Sequence, residues 1–249
     1  MKSKRYSCTH TDSLLDSAEL SDFDVQVSQH YLPLIQSHYQ NALLCHESPQ
    51  TYLTQKYGIG NEQILKYQLG YSNREIGEQL PPARNALGVK LRGSLCRLKL
   101  VRPSGHEAFR GCVTVPIYYQ EEITGFYAER IGRVRGSSSS KYWSPITKPC
   151  VFNLDAVKGV SAVYMYQSPL IAIQMSRAFG ERMIATNTSF QLTTIDCRVL
   201  ADLGISKVIA CSSKPVTKCH LMALGKTLKK FGMEYQPLNL DLEVHYGAV

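Results

Sequence analysis

The chain has 249 residues, 44% of them hydrophobic, and a formal net charge of +8. This composition excludes a wholly disordered protein, and its apolar runs are shorter than the roughly 18 to 20 residues that span a bilayer. The basic start, Met1 to Arg5, is not followed by an apolar stretch and does not resemble a secretory signal. We therefore expect a cytoplasmic protein with no membrane partner.

The first predicted elements are helical. Residues 1–27 are polar, and we expect a flexible lead-in there. From Gln29 to Lys56 apolar residues recur at helical spacing, with Ser48-Pro49 typical of the start of a second helix. Asn61 is the predicted cap of a short helix, and Pro81-Pro82 interrupts the chain.

The middle of the chain is rich in β-branched and aromatic residues. The stretches 112–118 and 123–131 have this composition and are separated by the polar residues 120–122. This arrangement predicts an antiparallel hairpin or meander.

Short apolar strands alternate with helices after Ser161. We predict strands at 162–166, 183–185, 207–211 and 233–240, and helices at 170–179, 193–203 and 218–231. This α/β alternation is typical of βαβ units, in which helices flank a mainly parallel sheet. We place a boundary between Asn153 and Gly159, which divides the chain into an N-terminal subdomain, 28–156, and a second domain, 157–249.

Positive charge is concentrated in two stretches. Between Arg84 and Lys148 there are twelve lysines and arginines and four acids, so this stretch carries a net charge equal to that of the whole chain. Lys207 to Lys230 contains six lysines and no acid. Clustered cations indicate a nucleic-acid partner, although a solvated basic face is the alternative.

The eight cysteines do not indicate a zinc site. None lies in a CxxC pair, and Cys8 with His10, like Cys219 with His220, lacks a second pair of ligands at zinc-finger spacing. We therefore expect no structural zinc.

Five motifs occur in a fixed order. They are YLTQKYGI at Tyr52–Ile59, YQLGY at Tyr67–Tyr71, FRGCVTVPI at Phe109–Ile117, TGFYAERI at Thr124–Ile131 and KYWSP at Lys141–Pro145. In that order they resemble the "YLxxRGI", "FxLGY", "FRGRVxFPI", "xGFGGRxL" and "KYLNSP" motifs of the bacterial DnaG-type primase core. The fourth also resembles the "YGRKI" form of primases carried on mobile elements.

The resemblance runs from about His30 to Pro215 and carries expectations about fold. It implies a mixed α+β N-terminal subdomain followed by a toprim domain, the metal-binding fold shared by primases and topoisomerases. It also implies that the family's N-terminal zinc finger is missing, because the first 30 residues offer only Cys8 and His10. By analogy, we expect a reduced core of the kind that a mobile element encodes.

The toprim metal site is where the chain departs from the family. The resemblance places Gln167 and Ile171 at the positions of a glutamate and an aspartate after the first toprim strand. It places Ser212 and Lys214 at the two aspartates of the "DxD" motif after the third. Magnesium is held by carboxylate oxygens, which none of these side chains supplies, and a lysine repels the metal. We therefore expect no catalytic residue, metal or cofactor to be retained at this degenerate site.

Nine residues are predicted to bind nucleic acid, DNA in preference to RNA. Arg110, Arg130 and Lys141 match family positions implicated in binding phosphates, and the alternative is that Arg110 and Arg130 only pair with Glu107 and Glu129. Lys214 is predicted to hold a phosphate without magnesium, against the alternative of an exposed loop lysine. The full set is Arg92, Arg97, Arg110, Arg130, Arg133, Arg135, Lys141, Tyr142 and Lys214.

Three functions remain open from the sequence. The first is a catalytically inactive, primase-like protein that binds DNA as an accessory in a replication, transposition or defence complex, with other proteins as further partners. The second is an active primase that uses Mg²⁺ or Mn²⁺ through displaced acids such as Glu181, Asp196 or Asp202. The third is a protein-interaction scaffold that docks through Pro169 and Ile171.

Overall fold

An antiparallel sheet is built from the middle of the chain. The computed structural model describes residues 20–132, 140–212 and 218–239. The sheet order is β1-β2-β3-β4, and the predicted strands of the central hairpin are confirmed to within one residue at each end. Gln120 and Glu121 connect this hairpin with φ values of 52° and 67°, the left-handed conformation that suits a tight turn between twisted strands. The strands are β1 (Gly70–Tyr71), β2 (Cys112–Tyr119), β3 (Glu122–Arg130) and β4 (Lys141–Pro145).

The first helix begins earlier than the sequence predicted. Helix α1 spans Asp22–Cys45, so the end of the expected 1–27 lead-in is helical, and residues 1–19 lie outside the described part of the chain. The Ser21 side chain caps α1 by accepting from the Asp24 backbone N–H. Asp24 is buried and bound by Arg97. This capping and this ion pair fix the first turn, although the local sequence is polar.

Two further helices follow with starts that differ slightly from the prediction. Helix α2 (Glu47–Tyr57) begins after His46 rather than Ser48, and α3 (Asn61–Lys66) begins after Gly60. Gly58 ends α2 in the left-handed conformation, with a φ of 63°.

Helix α4 (Ala86–Arg97) was not predicted. Asn85 caps it by accepting from the backbone N–H groups of Leu87 and Gly88. The buried face includes the small residues Gly88 and Ser94 beside Leu91 and Leu95, so its apolar periodicity is weak in the sequence.

The second sheet is parallel throughout the described residues, where the sequence predicted a mainly parallel sheet. Its order is β6-β5-β7-β8, and helices connect successive strands. Every predicted element of this half is found, with ends within one or two residues of the prediction. The elements are β5 (Ala162–Tyr166), α5 (Pro169–Phe179), β6 (Met183–Ala185), α6 (Thr194–Asp202), β7 (Lys207–Ser212), α7 (Lys218–Lys230) and β8 (Glu234–Asn239).

Both faces of the antiparallel sheet are covered. One face packs Cys112, Phe126 and Ala128 against α1 and α4. The other packs Val113, Val115 and Tyr127 against α2 and against β5 and α5. One core therefore joins residues on both sides of the predicted boundary at 156/157. None of the helices in the described ranges combines the length and apolar character needed to cross a membrane.

A substitution at Gly125 tests the packing between β3 and β4. A Cβ atom at Gly125 would lie 2.6 Å from the Cys150 Sγ and 2.8 Å from the Ser144 carbonyl oxygen. We predict that Gly125→Ala lowers the free energy of unfolding by about 1–3 kcal/mol because the backbone must move. Urea denaturation measures this change. Gly132→Ala is the control, since nothing lies within 4 Å of its Cβ position, and equal stability of the two variants would contradict the prediction.

Candidate functional site

Two of the four predicted toprim positions meet at the carboxyl edge of the parallel sheet. Tyr166 on β5 is paired with Cys211 on β7, so Gln167 and Ser212 are neighbours. The Ser212 hydroxyl donates to Gln167 Oε1 at 3.3 Å, and Gln167 Nε2 donates to the Thr188 carbonyl oxygen at 2.5 Å. The carboxyl edge of a parallel sheet is where ligands bind in open α/β folds.

The remaining two positions do not add ligands to this edge. Ile171 lies in the first turn of α5 and packs partly buried against the shared core. Lys214 lies outside the described residues, so its predicted phosphate contact stays a prediction.

The groups that the structure describes at this edge do not fit a magnesium site. An amide and a hydroxyl are neutral, whereas Mg²⁺ is held in proteins mainly by carboxylates. Across the described ranges, no group of three or more His, Cys, Asp and Glu side chains is arranged to hold a metal ion.

Two of the three acids considered as displaced ligands are engaged elsewhere, and the third is exposed. Asp196 is buried, and its oxygens accept from the backbone N–H groups of Thr193 and Cys150. Glu181 pairs with Lys66, and Asp202 is the exposed last residue of α6.

Beside this edge, a buried carboxylate collects donors from several elements. Glu129 on β3 is 1% exposed. Three tyrosine hydroxyls and one ammonium donate to it, and a second ammonium lies slightly further away. The groups are Tyr52 (2.7 Å), Tyr57 (2.7 Å), Tyr127 (2.6 Å), Lys56 (2.6 Å) and Lys141 (3.6 Å).

This Glu129 cluster reaches the parallel sheet through a hydroxyl pair. The Ser168 hydroxyl, which is buried at the start of α5, donates to the Tyr127 hydroxyl oxygen at 3.1 Å. Ser168 follows Gln167 directly in the chain. The cluster and the carboxyl edge therefore form one polar region between the two sheets.

Glu129 is ionised at neutral pH. Burial alone raises the pKa of a carboxyl group. The charge of Lys141 and the hydrogen bonds from Lys56, Tyr127 and Tyr52 outweigh burial here and lower the pKa of Glu129 from 4.5 to about 2. Burial and the Glu129 charge in turn raise the pKa of Tyr57 and Tyr127, which stay protonated as donors.

Arg110 and Arg130 lie at the end of the antiparallel sheet where β4 begins. Arg130 pairs with Cys112 across β2 and β3, and the Ile131 backbone N–H donates to the Gly111 carbonyl oxygen at 3.3 Å. Successive side chains alternate across a strand, so Arg130 lies on the opposite face of β3 from Glu129 and its partner Lys141.

The two arginines do not pair with the acids proposed as their alternative partners. Glu107 accepts from the Ser72 hydroxyl, the Ile76 backbone N–H and the Tyr39 hydroxyl. Glu129 pairs with lysines. Within the described ranges, Arg110 and Arg130 form no ion pair.

The other predicted nucleic-acid residues are dispersed. Arg97 binds Asp24 through two guanidinium nitrogens, and Arg92 donates to the carbonyl oxygens of Gly77 and Pro81. Tyr142 packs against the core on the α1 and α4 side. Arg133 and Arg135 lie outside the described residues.

The fold has well-matched counterparts among solved structures. A structure of the DnaG catalytic core matches with a TM-score of 0.71 and 16% identity, over 86% of this chain and 72% of that chain. A DnaG primase catalytic domain bound to ssDNA matches with a TM-score of 0.67 and 16% identity, over 88% and 74%. The RNA polymerase domain of Mycobacterium tuberculosis DnaG with double-stranded DNA matches with a TM-score of 0.65 and 14% identity, over 90% and 77%.

The chain has the fold of the DnaG primase catalytic core. The resemblance read from the motifs is thereby confirmed at the level of fold, including an antiparallel sheet followed by a toprim-like parallel sheet. No protein-family model matches the chain, and no curated protein is significantly similar to it in sequence.

The Glu129 cluster predicts a pH dependence of stability within the primase-core fold. The pKa is lower in the folded state, so the stabilisation is complete above pH 4.5 and is lost as the pH falls towards 2. The parent should have a higher free energy of unfolding than Glu129→Gln. We predict that this difference falls by about 3 kcal/mol between pH 4.5 and pH 2. Chemical denaturation at a series of pH values measures it.

A matched control lies on the same strand. Glu122→Gln removes an exposed carboxylate from β3 and should leave the free energy of unfolding within about 0.5 kcal/mol of the parent. A stability difference between the parent and Glu129→Gln that stays constant from pH 5 to pH 2 would show that the Glu129 charge is not held as described.

Proposed function

We propose that the chain is a primase-like protein that binds nucleic acid, DNA in preference to RNA, and does not synthesise primers. The observation that carries the binding is the pair of arginines, Arg110 and Arg130, at one end of the antiparallel sheet without an acidic partner among the described residues. Arginines left without internal partners are available to form charge-assisted hydrogen bonds with phosphate.

The structural counterparts support the choice of partner. Two proteins of the same fold were solved with single-stranded and with double-stranded DNA. Lys141 lies at the same end of the sheet as the two arginines, but it pairs with Glu129 on the opposite face of β3. The proposed interface therefore consists of Arg110 and Arg130.

The absence of synthesis is proposed from the carboxyl edge. Nucleotidyl transfer needs divalent metal to offset the charge of the triphosphate, and the neutral pair Gln167 and Ser212 offers a poor site for it. A DNA-binding protein of this kind would act as an accessory in a larger replication, transposition or defence complex.

Salt dependence tests the binding interface. We predict that the double variant Arg110→Ala/Arg130→Ala binds a short DNA oligonucleotide more weakly, because two phosphate contacts are lost. The slope of log affinity against log salt concentration should become less steep, by about 1.4 for single-stranded DNA and about 1.8 for duplex DNA. Fluorescence anisotropy between about 50 and 200 mM salt measures both quantities.

The matched control is Arg177→Ala/Arg182→Ala. It also removes two arginines, which are exposed and lie at the end of α5 and before β6, at the amino edge of the parallel sheet. Equal loss of affinity in the two double variants would mean that only net charge matters. Binding that is insensitive to salt would favour the protein-interaction scaffold instead.

Primer synthesis tests the catalytic part of the proposal. With a single-stranded template and ribonucleoside triphosphates, we expect no templated product with Mg²⁺ or Mn²⁺, because the described carboxyl edge lacks carboxylates. A bacterial primase catalytic core, assayed in parallel, is the positive control. Templated products from the purified protein would establish the active-primase alternative.

A further inference from the structure

A small positive cleft lies on the α4 side of the antiparallel sheet. Its volume is about 110 Å³, and its apolar wall includes Ile76, Leu80 and Val101. The charged and titratable side chains that line it are Arg74, Arg92, His106, Glu107 and Arg110. This phosphate-sized space is distinct from the carboxyl edge of the parallel sheet.

The backbone around the cleft leaves room for two of the guanidinium groups. Arg74 has a φ of 79°, an uncommon conformation for a residue with a side chain. Gly111, with a φ of 67°, is the residue after Arg110, and a Cβ there would lie 3.8 Å from Arg74 Nη2. The Arg74 guanidinium therefore lies beside the chain that carries Arg110.

Arg92 is fixed by the backbone and retains an unused donor. Its Nη2 donates to the carbonyl oxygens of Gly77 and Pro81 at 3.2 and 3.3 Å. Its Nε is buried and has no hydrogen-bond partner. A buried donor without an acceptor is destabilising, and an anion in the cleft would supply the missing acceptor.

The side chains that line the cleft carry a net charge of +2 when His106 is neutral. Three arginines are opposed by Glu107, which is 4% exposed. Its carboxylate oxygens accept from the Ile76 backbone N–H and the hydroxyls of Ser72 and Tyr39. Glu107 is therefore bonded to the protein interior, and the arginines supply the donors of the cleft.

We propose that this cleft binds the terminal phosphate of a nucleic-acid strand. A phosphomonoester carries a charge of about −1.5 to −2 at neutral pH and three acceptor oxygens, whereas a phosphodiester within a strand carries one charge. The cleft matches the monoester in charge, and its volume admits a phosphate group. The inference rests on the proposed function, since it specifies which part of the nucleic acid the Arg110 surface recognises.

The test compares strands that differ only at their ends. A single-stranded DNA oligonucleotide with an internal fluorophore is prepared with a 5′-phosphate, with a 3′-phosphate, or with hydroxyls at both ends. We expect one phosphorylated form to bind about ten-fold more tightly than the hydroxyl form, the gain of one added charge-assisted hydrogen bond. Fluorescence anisotropy at one fixed salt concentration measures the three affinities.

Arg74→Asn is the diagnostic variant. Asparagine tolerates a positive φ, and Arg74 forms no ion pair or hydrogen bond within the described ranges, so the fold should be kept. The preference for the phosphorylated strand should disappear while binding of the hydroxyl strand changes less than about two-fold. Lys99→Asn is the matched control, since Lys99 is an exposed cation with a φ of 61° outside the cleft lining, and it should keep the preference.

The outcomes separate this inference from the proposed function. Equal binding of all three strands, still weakened by Arg110→Ala/Arg130→Ala, would overturn the terminal-phosphate site and leave nucleic-acid binding standing. A preference that survives Arg74→Asn would also overturn it. No binding of any strand would overturn both proposals.

Discussion

The arrangement of the two sheets depends on the buried charge of Glu129. A buried carboxylate is stable only when donors surround it, and here they come from α2, β3 and β4. Tyr127 also accepts from Ser168, so the same group of hydrogen bonds reaches the first residue after Gln167. Removing the charge would therefore loosen the junction between the sheets as well as the strand that carries it.

The lysines that pair with Glu129 and four arginines without ion pairs among the described residues lie on opposite faces of the antiparallel sheet. Lys56 and Lys141 are held beside it, and their charges are largely offset on the face of the sheet directed towards α2. Arg130, one residue further along β3, lies on the other face, with Arg110 and the cleft residues Arg74 and Arg92 on the same side. These four arginines, which form no ion pair in the described ranges, therefore lie on the face of the antiparallel sheet opposite the Glu129 cluster, whereas the carboxyl edge carries neutral Gln167 and Ser212. This division is the physical basis for proposing nucleic-acid binding without metal-dependent synthesis.

The sequence predicted the parallel half well because its signals are local. Short apolar strands and glycines such as Gly180 and Gly204 define β5 to β8 and their helices without reference to distant residues. Helix α4 was missed because small buried residues replace the apolar ones that would have shown its period. Helix α1 begins at Asp22 because Ser21 caps it and because Asp24 forms an ion pair with the distant Arg97, which no local pattern reports.

The candidate site was predicted only in part. The family resemblance placed Gln167 and Ser212 at one degenerate metal site, and their side chains are hydrogen-bonded to each other in the structure. The Glu129 cluster was not foreseen because Tyr52 and Glu129 are 77 residues apart. One sequence signal for this cluster was available. When TGFYAERI is aligned with the family motif xGFGGRxL at Gly125-Phe126, the arginine of that motif corresponds to Glu129 and not to Arg130. Alternation along β3 would then have placed Glu129 and Arg130 on opposite faces.

DNA affinity measured with saturating Mg²⁺ and again with EDTA tests the central claim most directly. The claim is that arginine side chains, and not a metal held at the carboxyl edge, bind the phosphates. It predicts equal affinity in the two conditions, or slightly tighter binding in EDTA, because Mg²⁺ competes with the protein for phosphate. Loss of binding on chelation would contradict the claim and show that a divalent ion takes part.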